Sequence, residues 1–448
     1  MKVSRRNFIK GSLALSATPA LSACNSETES SPTSDNTGPK ALVGIFLFGG
    51  NDAYNMIIPR TDNAYAQYQA ARPNIAIDQK QLIDTGLKTK TGPFNESVEI
   101  GLHPAMSALK PIFARGNANV IVNSGQLVQP LINHDKSSAL YPEFLMAHNL
   151  QQTMWQSGAL NMSDRQGWAG RMVDKMNMAG MYSPLISING DKKWLRSNSH
   201  EQMQMAASGP GDYKGINTQT FESMTTLWDQ SYRNLYPDNY GPHMRSRYLE
   251  NENLKDILST VDADKYAYPD SKLGGQLNMV GRLLRARDQL DQTHQIFMVG
   301  IGGFDTHNNQ LVDHDALLTH VAEAMAAFQQ ELEQEGIAEQ VTTFTMSDFG
   351  RRIMANNSGT DHGWAGHQLI MGGAVKGINQ DDLAIGRWPD LAPNSEYDHN
   401  KGRLIPEIAA DQVNAELAKW FGYPTDSIND LFPNLPYFKD IEKPILFR

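Results

Sequence analysis

Cysteine is almost absent from this chain, because Cys24 is the single cysteine in 448 residues. A disulfide within one copy is therefore excluded. A protein in an oxidising compartment must then owe its stability to core burial, which a chain of roughly 400 residues can supply. Long apolar runs are absent beyond the N-terminal segment, since none reaches the roughly 18 residues that a membrane-spanning helix needs. The sequence predicts no second membrane element.

A basic excess and two common active-site motifs are absent as well. The chain has 39 Lys and Arg against 49 Asp and Glu, a net charge of −10. Residues 1–23 hold four basic and no acidic residues, so without them the charge is about −14. This charge argues against nucleic acid or anionic lipid as the main partner. There is no Gly-x-Ser-x-Gly elbow, and Gly49-Gly50-Asn51-Asp52 lacks the Gly-Lys-Ser/Thr of a phosphate loop.

The N-terminus carries a signal of the twin-arginine type. Arg5 and Arg6 are followed by Phe8, by a short apolar run and by Leu21-Ser22-Ala23-Cys24, where a bacterial lipoprotein is cleaved and lipidated. The pattern predicts export by the twin-arginine machinery and cleavage before Cys24. A lipid on Cys24 would then anchor the protein on the periplasmic side of the cell envelope. The alternative interpretation is a signal peptide cut nearby, with Cys24 incidental.

The rest of the chain is predicted to form one large domain. Residues 24–40 combine the lipidation site with a segment rich in Ser, Thr, Glu and Pro, which is typical of a flexible tether. Residues 41–448 show no second linker of that kind and no repeat, which favours a single α/β domain. The polar stretch at about 190–275 is too long for an ordinary loop and is predicted to be an insertion or cap.

Four unbroken apolar runs predict buried strands. They are residues 42–48, 119–122, 295–301 and 341–346, and runs of this kind suit strands buried on both faces of a parallel sheet. Apolar residues at helical spacing predict a helix over residues 315–335. The predicted fold class is therefore α/β, with a largely parallel central sheet flanked by helices.

Acidic residues follow three of these strands. Asp52 and Asp305 each come after a Gly-Gly pair, and Asp348 follows the third strand. Ligands of open α/β sheets bind at the carboxyl ends of strands, so we expect the three carboxylates to converge on one edge of the sheet. The alternative for any one of them is to cap the N-terminus of a helix.

Histidines are concentrated in the same part of the chain, where six of the 12 lie within residues 294–367. Asp305 with His307, and Asp361 with His362, each follow a glycine-bearing loop. Carboxylate and imidazole groups together form the ligand sets of Zn, Mn or Fe sites. The cluster therefore predicts a metal site, with a polar network that holds no metal as the alternative.

Several motifs together resemble one known family. The segment Phe48-Gly49-Gly50-Asn51-Asp52-Ala53-Tyr54-Asn55 looks like the opening signature of the family called domain of unknown function 1501, whose members are often exported by the twin-arginine route. Further matches are Ala71-Arg72-Pro73, Gly101-Leu102-His103-Pro104, Gly167-Trp168-Ala169-Gly170-Arg171, Gly303-Phe304-Asp305-Thr306-His307, Ser347-Asp348-Phe349-Gly350-Arg351, Asp361-His362 and Gly372-Gly373. The similarity extends from Ala41 to about Leu435.

That family is similar in fold to the alkaline phosphatase and sulfatase superfamily. The resemblance implies an alkaline phosphatase-like sheet with metal ligands on strand-end loops. It also implies one or two divalent cations, among Zn, Mn, Fe and Ca, that serve the hydrolysis of phosphate or sulfate esters. Carried over by motif, the ligands are Asp52, Asp305, His307, Asp348, Asp361 and His362, with His367 as a weaker candidate.

One position departs from the family pattern. Members commonly carry a Ser-His-Phe triplet where this chain has Ala147-His148-Asn149, and Ala147 has no hydroxyl group to act as a nucleophile. The catalytic candidates left in this region are His148 and Ser137, and a direct attack by water is the other route. Two hypotheses stay open: a metal-dependent hydrolase, and a non-catalytic envelope lipoprotein that binds a ligand or partner in the same cleft.

Overall fold

A computed structural model describes residues 38–92, 95–158, 164–178, 180–212, 218–228 and 235–448. Arg5, Arg6, Cys24 and nearly all of the predicted tether lie outside the described residues. Within the described ranges, no helix is both long enough and apolar enough to cross a membrane.

The strands and helices alternate along much of the chain. The strands are β1 (Lys40–Phe48), β2 (Ile57–Pro59), β3 (Ile83–Lys90), β4 (Glu99–Leu102), β5 (Ala118–Gly125), β6 (Leu185–Ser187), β7 (Met203–Gln204), β8 (His294–Gly302), β9 (Val341–Ser347), β10 (Arg351–Ala355), β11 (Thr360–His362), β12 (Gly366–Met371), β13 (Leu383–Arg387), β14 (Asp398–Asn400), β15 (Arg403–Leu404) and β16 (Ile408–Ala409). The helices are α1 (Ala53–Met56), α2 (Asp62–Ala71), α3 (Lys110–Ala114), α4 (His148–Ser157), α5 (Trp168–Met176), α6 (Thr218–Trp228), α7 (Leu235–Ser259), α8 (Lys272–Arg285), α9 (Gln310–Gln334), α10 (Ala410–Phe421) and α11 (Ile428–Leu431).

One large sheet organises these elements. Its strand order is β2-β4-β3-β13-β5-β12-β9-β1-β8-β6-β7, and β16 pairs with the end of β5. The strands from β9 through β1, β8 and β6 to β7 are mutually parallel, whereas β12 runs antiparallel between β5 and β9. The predicted α/β class with a largely parallel sheet is confirmed. The four apolar runs lie in β1, β5, β8 and β9.

The sheet is buried on both faces because its central strands are apolar on both sides. In β1, Val43 and Ile45 belong to one apolar cluster and Leu42 and Phe46 to the other, and all four side chains are fully buried. Residues of α8 and α9 pack in the first cluster, and residues of α5 and α10 pack in the second. The unbroken apolar runs therefore reflect helices on both sides of the sheet.

Helix α9 begins earlier than its apolar pattern predicts. The apolar spacing predicts a start at residue 315, but the helix starts at Gln310. The residue before it, Asn309, has a left-handed conformation (φ 51°). Its first turns bury two polar residues, Gln310 and His314, against polar groups instead of apolar ones. A prediction that relies on apolar spacing misses a helix start of this kind.

The predicted insertion or cap at about 190–275 contains several of these elements. It includes β7, which pairs in parallel with β6 at the edge of the sheet, and the helices α6 and α7. Residues 213–217 and 229–234 within it lie outside the described ranges.

The carboxyl ends of the neighbouring strands β9, β1 and β8 meet at one edge of the sheet. Leu47 pairs with Ser347 and Phe48 with Gly302, so the chain leaves all three strands at the same level. Gly49 has a positive φ of 116°, and a Cβ atom there would lie 2.5 Å from the Asp305 amide nitrogen. Only glycine permits this backbone contact, which brings the loops after β1 and β8 together.

A buried carboxyl group away from this edge responds to pH. Asp411, in the first turn of α10, is 4% exposed, and its Oδ2 atom lies 3.4 Å from Nδ2 of Asn434. Burial raises the pKa of Asp411 to about 6, against the opposing effects of the Asn434 hydrogen bond and the Arg171 charge. The folded chain therefore binds this proton more tightly than the unfolded chain does.

We expect Asp411→Asn to stabilise the protein at neutral pH. Since the folded-state pKa is the higher one, the stability that the protonated Asp411 contributes is fully present below about pH 4 and is lost as pH rises through 6. The stability difference between variant and wild type should therefore grow by about 1–3 kcal/mol between pH 4.5 and 7.5. Urea unfolding of both proteins at the two pH values measures it, and a difference that is constant with pH would contradict the assignment.

Candidate metal centre

Four side chains from three separate segments meet at the strand-end edge. Asp305 and His307 lie on the loop after β8, His362 ends β11, and His148 is the first residue of α4. The Nε2 atom of His362 lies 3.1 Å from Nε2 of His148 and 3.1 Å from Nε2 of His307. These four residues form the imidazole cluster.

The carboxylate of Asp305 completes the imidazole cluster. Its Oδ1 atom lies 3.3 Å from Nε2 of His362 and 3.1 Å from Nε2 of His307, and its Oδ2 atom lies 3.5 Å from Nε2 of His148. The ligand atoms of His148, Asp305 and His362 all lie within 4.8 Å of one another, as a metal-binding group requires. His307 lies beside that group of three.

An oxygen acceptor next to Nδ1 fixes the tautomer of each of the three histidines. Nδ1 of His148 lies 2.7 Å from Oδ2 of Asp348, and Nδ1 of His362 lies 2.9 Å from the Met146 carbonyl oxygen. Nδ1 of His307 lies 3.4 Å from Oδ1 of Asp361. Carboxylate and carbonyl oxygens only accept hydrogen bonds, so each Nδ1 carries the proton and each Nε2 presents its lone pair.

The donor set fits a divalent cation. Three Nε2 lone pairs and a carboxylate pointing at one another repel unless a positive charge lies between them. Ligands bound 2.0–2.1 Å from a tetrahedral zinc ion are about 3.3 Å apart, which matches the 3.1–3.5 Å separations in the imidazole cluster. The side chains of the cluster are 26–47% exposed, so solutes can reach it from solvent.

Asp348 supports the imidazole cluster from behind. The side chain is fully buried; Oδ1 accepts a hydrogen bond from the Gly49 amide at 3.2 Å, and Oδ2 accepts one from Nε2 of Gln152 at 3.0 Å. With His148 also bound to Oδ2, both oxygens of the carboxylate contact protein groups. Asp348 therefore orients His148, and its ligand atoms do not belong to the metal-binding group of three.

Arg351 is a fully buried guanidinium beneath the imidazole cluster. It donates to the carbonyl oxygens of Gly49, Gly50, Phe304 and Thr360 at 2.8–3.1 Å and to Oδ1 of Asp305. Partial burial acts to raise the pKa of Asp305, but the hydrogen bond and charge of Arg351 outweigh it and hold that pKa below its ordinary value. Asp305 is therefore ionised and fixed in place.

Asp52 lies in a separate buried network. Both of its oxygens accept hydrogen bonds from the guanidinium of Arg72, and Oδ2 also accepts one from Gln310. The Arg72 and Asp52 side chains are both fully buried. The structure thus pairs Asp52 with a cationic side chain and does not bring it into the metal-binding group of three.

The other candidates take different positions. Asp361 binds Arg352 at 2.9 Å and faces His307. His367 is buried under Tyr54 and Trp388, and its Nδ1 atom accepts a hydrogen bond from the Asn123 amide at 3.0 Å. Burial lowers the pKa of His367 to about 3, so it is neutral.

The catalytic candidate Ser137 is exposed, and its hydroxyl donates a hydrogen bond to Oδ2 of Asp135 at 2.9 Å.

Sequence reasoning missed the groups that hold the ligands. Arg351 and Arg72 belong to the family motifs, but no role was predicted for them, and Gln152 and Met146 carry no motif at all. For Arg351 the sequence did offer a signal, because this basic residue comes three positions after Asp348, the acidic residue that follows β9. The Met146 contact uses a backbone carbonyl, which no side-chain pattern reveals.

Comparison with family models gives two matches. The model described as "Protein of unknown function (DUF1501)" matches residues 39–409, and the twin-arginine translocation signal model matches residues 2–22. The export signal predicted from Arg5 and Arg6 is confirmed. No curated protein is similar enough in sequence to count as a relative.

Several solved structures are similar over most of the chain. The zinc complex of the EcEptC periplasmic domain from Escherichia coli has 8% identity over 88% of this chain and 85% of its own, with a TM-score of 0.36. A protein in the alkaline phosphatase superfamily from Vibrio parahaemolyticus has 9% identity over 86% and 67%, with a TM-score of 0.35. The PsFucS1 sulfatase from Pseudoalteromonas sp. has 8% identity over 87% and 69%, with a TM-score of 0.31. All three TM-scores are below 0.5, so these similarities carry no argument about superfamily or activity.

We expect Asp305→Asn and Asp52→Asn to fail in different ways. Asp305→Asn should abolish metal binding with a smaller loss of stability, because that side chain is half-exposed and the buried Arg351 keeps its four backbone carbonyl acceptors. Asp52→Asn leaves the buried Arg72 without its counter-charge and should lower the free energy of unfolding by about 3–5 kcal/mol. Elemental analysis and thermal unfolding of both variants separate the two roles. Metal loss with unchanged stability in Asp52→Asn would make Asp52 a ligand.

Proposed function

The chain belongs to the DUF1501 family, and we propose that it is an exported, metal-dependent hydrolase of phosphate or sulfate esters. The observation that carries this proposal is the convergence of three oriented Nε2 atoms and the Asp305 carboxylate at a solvent-accessible sheet edge. A closed site with four saturating ligands would instead suit a structural metal. The imidazole cluster leaves an accessible side for a substrate.

The residues of the imidazole cluster divide into two roles. His148, Asp305 and His362 hold the cation, since their ligand atoms form the mutually close group. When bound, a divalent cation activates water and neutralises charge on a phosphoryl or sulfuryl group. Asp348 and the Met146 carbonyl keep the two ligand imidazoles in the tautomer that binds it.

We assign proton transfer to His307, which the sequence predicts as a ligand. It lies beside the metal-binding group, its side chain is 40% exposed, and Asp361 faces its Nδ1 atom. A carboxylate on Nδ1 stabilises the imidazolium that forms when Nε2 takes a proton from the attacking water. The leaving oxygen departs on the side opposite the attacking water, so it takes its proton from solvent, and Nε2 of His307 returns its proton to solvent.

Water is the proposed nucleophile because the imidazole cluster has no hydroxyl group among its contacts in the described ranges. Ala147 precedes His148 as the N-cap of α4 and offers no side-chain oxygen. The lack of a side-chain hydroxyl among these contacts also favours the second candidate function, a non-catalytic protein that binds an anionic ligand at the centre. Turnover by the metal-loaded protein decides between the two.

We expect the metal-loaded protein to hydrolyse at least one of three test esters: 4-nitrophenyl phosphate, bis(4-nitrophenyl) phosphate and 4-nitrophenyl sulfate. Asp305→Asn should lose both metal and turnover. His307→Asn should keep the metal and lose about 10²–10⁴-fold in kcat, the range for general acid–base groups. Asp288→Asn is the matched control, because the Asp288 side chain is 99% exposed.

Two outcomes of that experiment would change the assignment. Metal loss in His307→Asn would make His307 a ligand, as the sequence predicts. No turnover of any ester by protein with a full complement of metal would reject the hydrolase in favour of the binding protein.

We further propose that the exported protein is held at the envelope by a lipid on Cys24. The twin-arginine signal model ends at residue 22, two residues before this cysteine. Cys24→Ser should move the protein from the membrane fraction to the soluble periplasmic fraction and abolish labelling by radioactive palmitate. Arg5→Lys with Arg6→Lys should instead leave the protein in the cytoplasm. Membrane attachment that persists in Cys24→Ser would reject the lipid anchor.

A further inference from the structure

An aromatic side chain packs against two histidines of the imidazole cluster. Phe349 follows Asp348, directly after β9, and is 3% exposed. The centroid of its ring lies 4.8 Å from that of the His148 imidazole and 4.7 Å from that of the His362 imidazole. The centroids of the two imidazoles are 4.5 Å apart. The rings of Phe349, His148 and His362 therefore form a compact group, which we call the ring triangle.

The orientation of the three rings is as specific as their spacing. The plane of the Phe349 ring is inclined by 38° to the His148 imidazole and by 41° to the His362 imidazole, and the two imidazoles are inclined by 78° to each other. The plane of the Phe349 ring therefore lies about midway between the two imidazole planes. Aromatic rings at such distances attract each other when they are offset or tilted. Phe349 thus favours one orientation of both imidazoles at the same time.

The surrounding backbone keeps the Phe349 ring in the ring triangle. Gly50 has a positive φ of 81°, and a Cβ atom there would lie 2.5 Å from Cε2 of Phe349. The main chain at Gly50 therefore closes one side of the phenyl ring. The carbonyl oxygen of Asp348, which directly precedes Phe349, accepts a hydrogen bond from Nε1 of Trp155 at 3.0 Å. Because both its ring and its main chain are held, Phe349 is fixed against the imidazoles.

Hydrogen bonds alone leave part of this geometry undetermined. One hydrogen bond on Nδ1 fixes the tautomer of an imidazole, but it allows the ring to tilt about that contact. Nε2 of His148 and Nε2 of His362 lie 3.1 Å apart and both present lone pairs, so they repel each other until a cation lies between them. A third ring packed against both imidazoles opposes the tilt that this repulsion favours. A centre that is ordered in advance loses less conformational freedom when its ligand binds.

We propose that Phe349 is a positioning residue of the metal centre, which holds the imidazoles of His148 and His362 at the spacing that a cation needs. This role rests on the metal centre of the proposed function but does not require its hydrolytic activity. A phenyl ring provides no ligand atom, so Phe349 acts through the two imidazoles, on the affinity for the cation and on the coordination geometry. Residues that orient metal ligands commonly change metal affinity about 10–100-fold.

Metal binding by Phe349→Met and Phe349→Leu tests this role without any turnover. Both variants keep an apolar side chain but lack the planar ring. Both should raise the Kd for Zn²⁺ about 10–100-fold, measured by competition with a chromophoric chelator. Both should also change the visible absorption spectrum of the Co²⁺-loaded protein, which reports the arrangement of the ligands. Phe328→Leu is the matched control, because Phe328 is fully buried in α9 within the first apolar cluster; it should lower the Tm and leave the Kd and the spectrum unchanged.

Four results would separate the causes. A wild-type Kd and spectrum in both Phe349 variants would overturn the positioning role, even in a protein that hydrolyses esters. An equal rise in Kd for Phe328→Leu would trace the effect to overall stability and would overturn the role as well. A Zn²⁺ affinity that depends on Phe349, in a protein that hydrolyses none of the three test esters, would support the role while the hydrolase proposal fails. A wild-type protein that binds neither Zn²⁺ nor Co²⁺ would reject the metal centre and the positioning role together.

Discussion

The buried guanidinium of Arg351 is the interaction on which the centre depends. Its planar fork donates to backbone carbonyls of the loops after β1 and β8 and of β11, and also to the carboxylate of Asp305. A buried carbonyl that loses its only hydrogen-bond donor costs about 1–3 kcal/mol. A lysine could not replace it, because an ammonium group has fewer donors than a guanidinium and they do not form a planar fork. One side chain thus holds three separate segments at the spacing that the imidazole cluster needs.

The distribution of charge around the centre follows from two such arginines. Arg72 neutralises Asp52 in the interior, and Arg351 compensates much of the charge on Asp305. The imidazole cluster therefore presents little net negative charge to solvent, although the chain as a whole is acidic. A cation bound there keeps most of its positive charge, which favours anionic esters over neutral ones.

The fold was predictable because strands that are buried on both faces of a sheet have unbroken apolar sequences, as β1, β5, β8 and β9 do. Asp305 was predictable at this edge because it follows a strand, whereas His307 and His362 were grouped with it by the glycine-bearing loops before them and by the family resemblance. Asp52 illustrates what residue types cannot show, since a carboxylate that binds a cation and one that binds a buried arginine look the same in a sequence. The start of α9 and the role of the Met146 carbonyl depend on tertiary contacts and on the backbone, which carry no residue pattern.

The close backbone contacts at the sheet edge bear on how this scaffold can vary. Gly49 touches the amide of Asp305, and a Cβ atom on Gly359, just before β11, would lie 2.4 Å from the carbonyl oxygen of Thr306. Loops that interlock at the main chain tolerate neither larger residues nor insertions. Variation in this scaffold is therefore expected in segments that take no part in these main-chain contacts. A directed-evolution library on this chain is best confined to such segments, with Gly49 and Gly359 held constant.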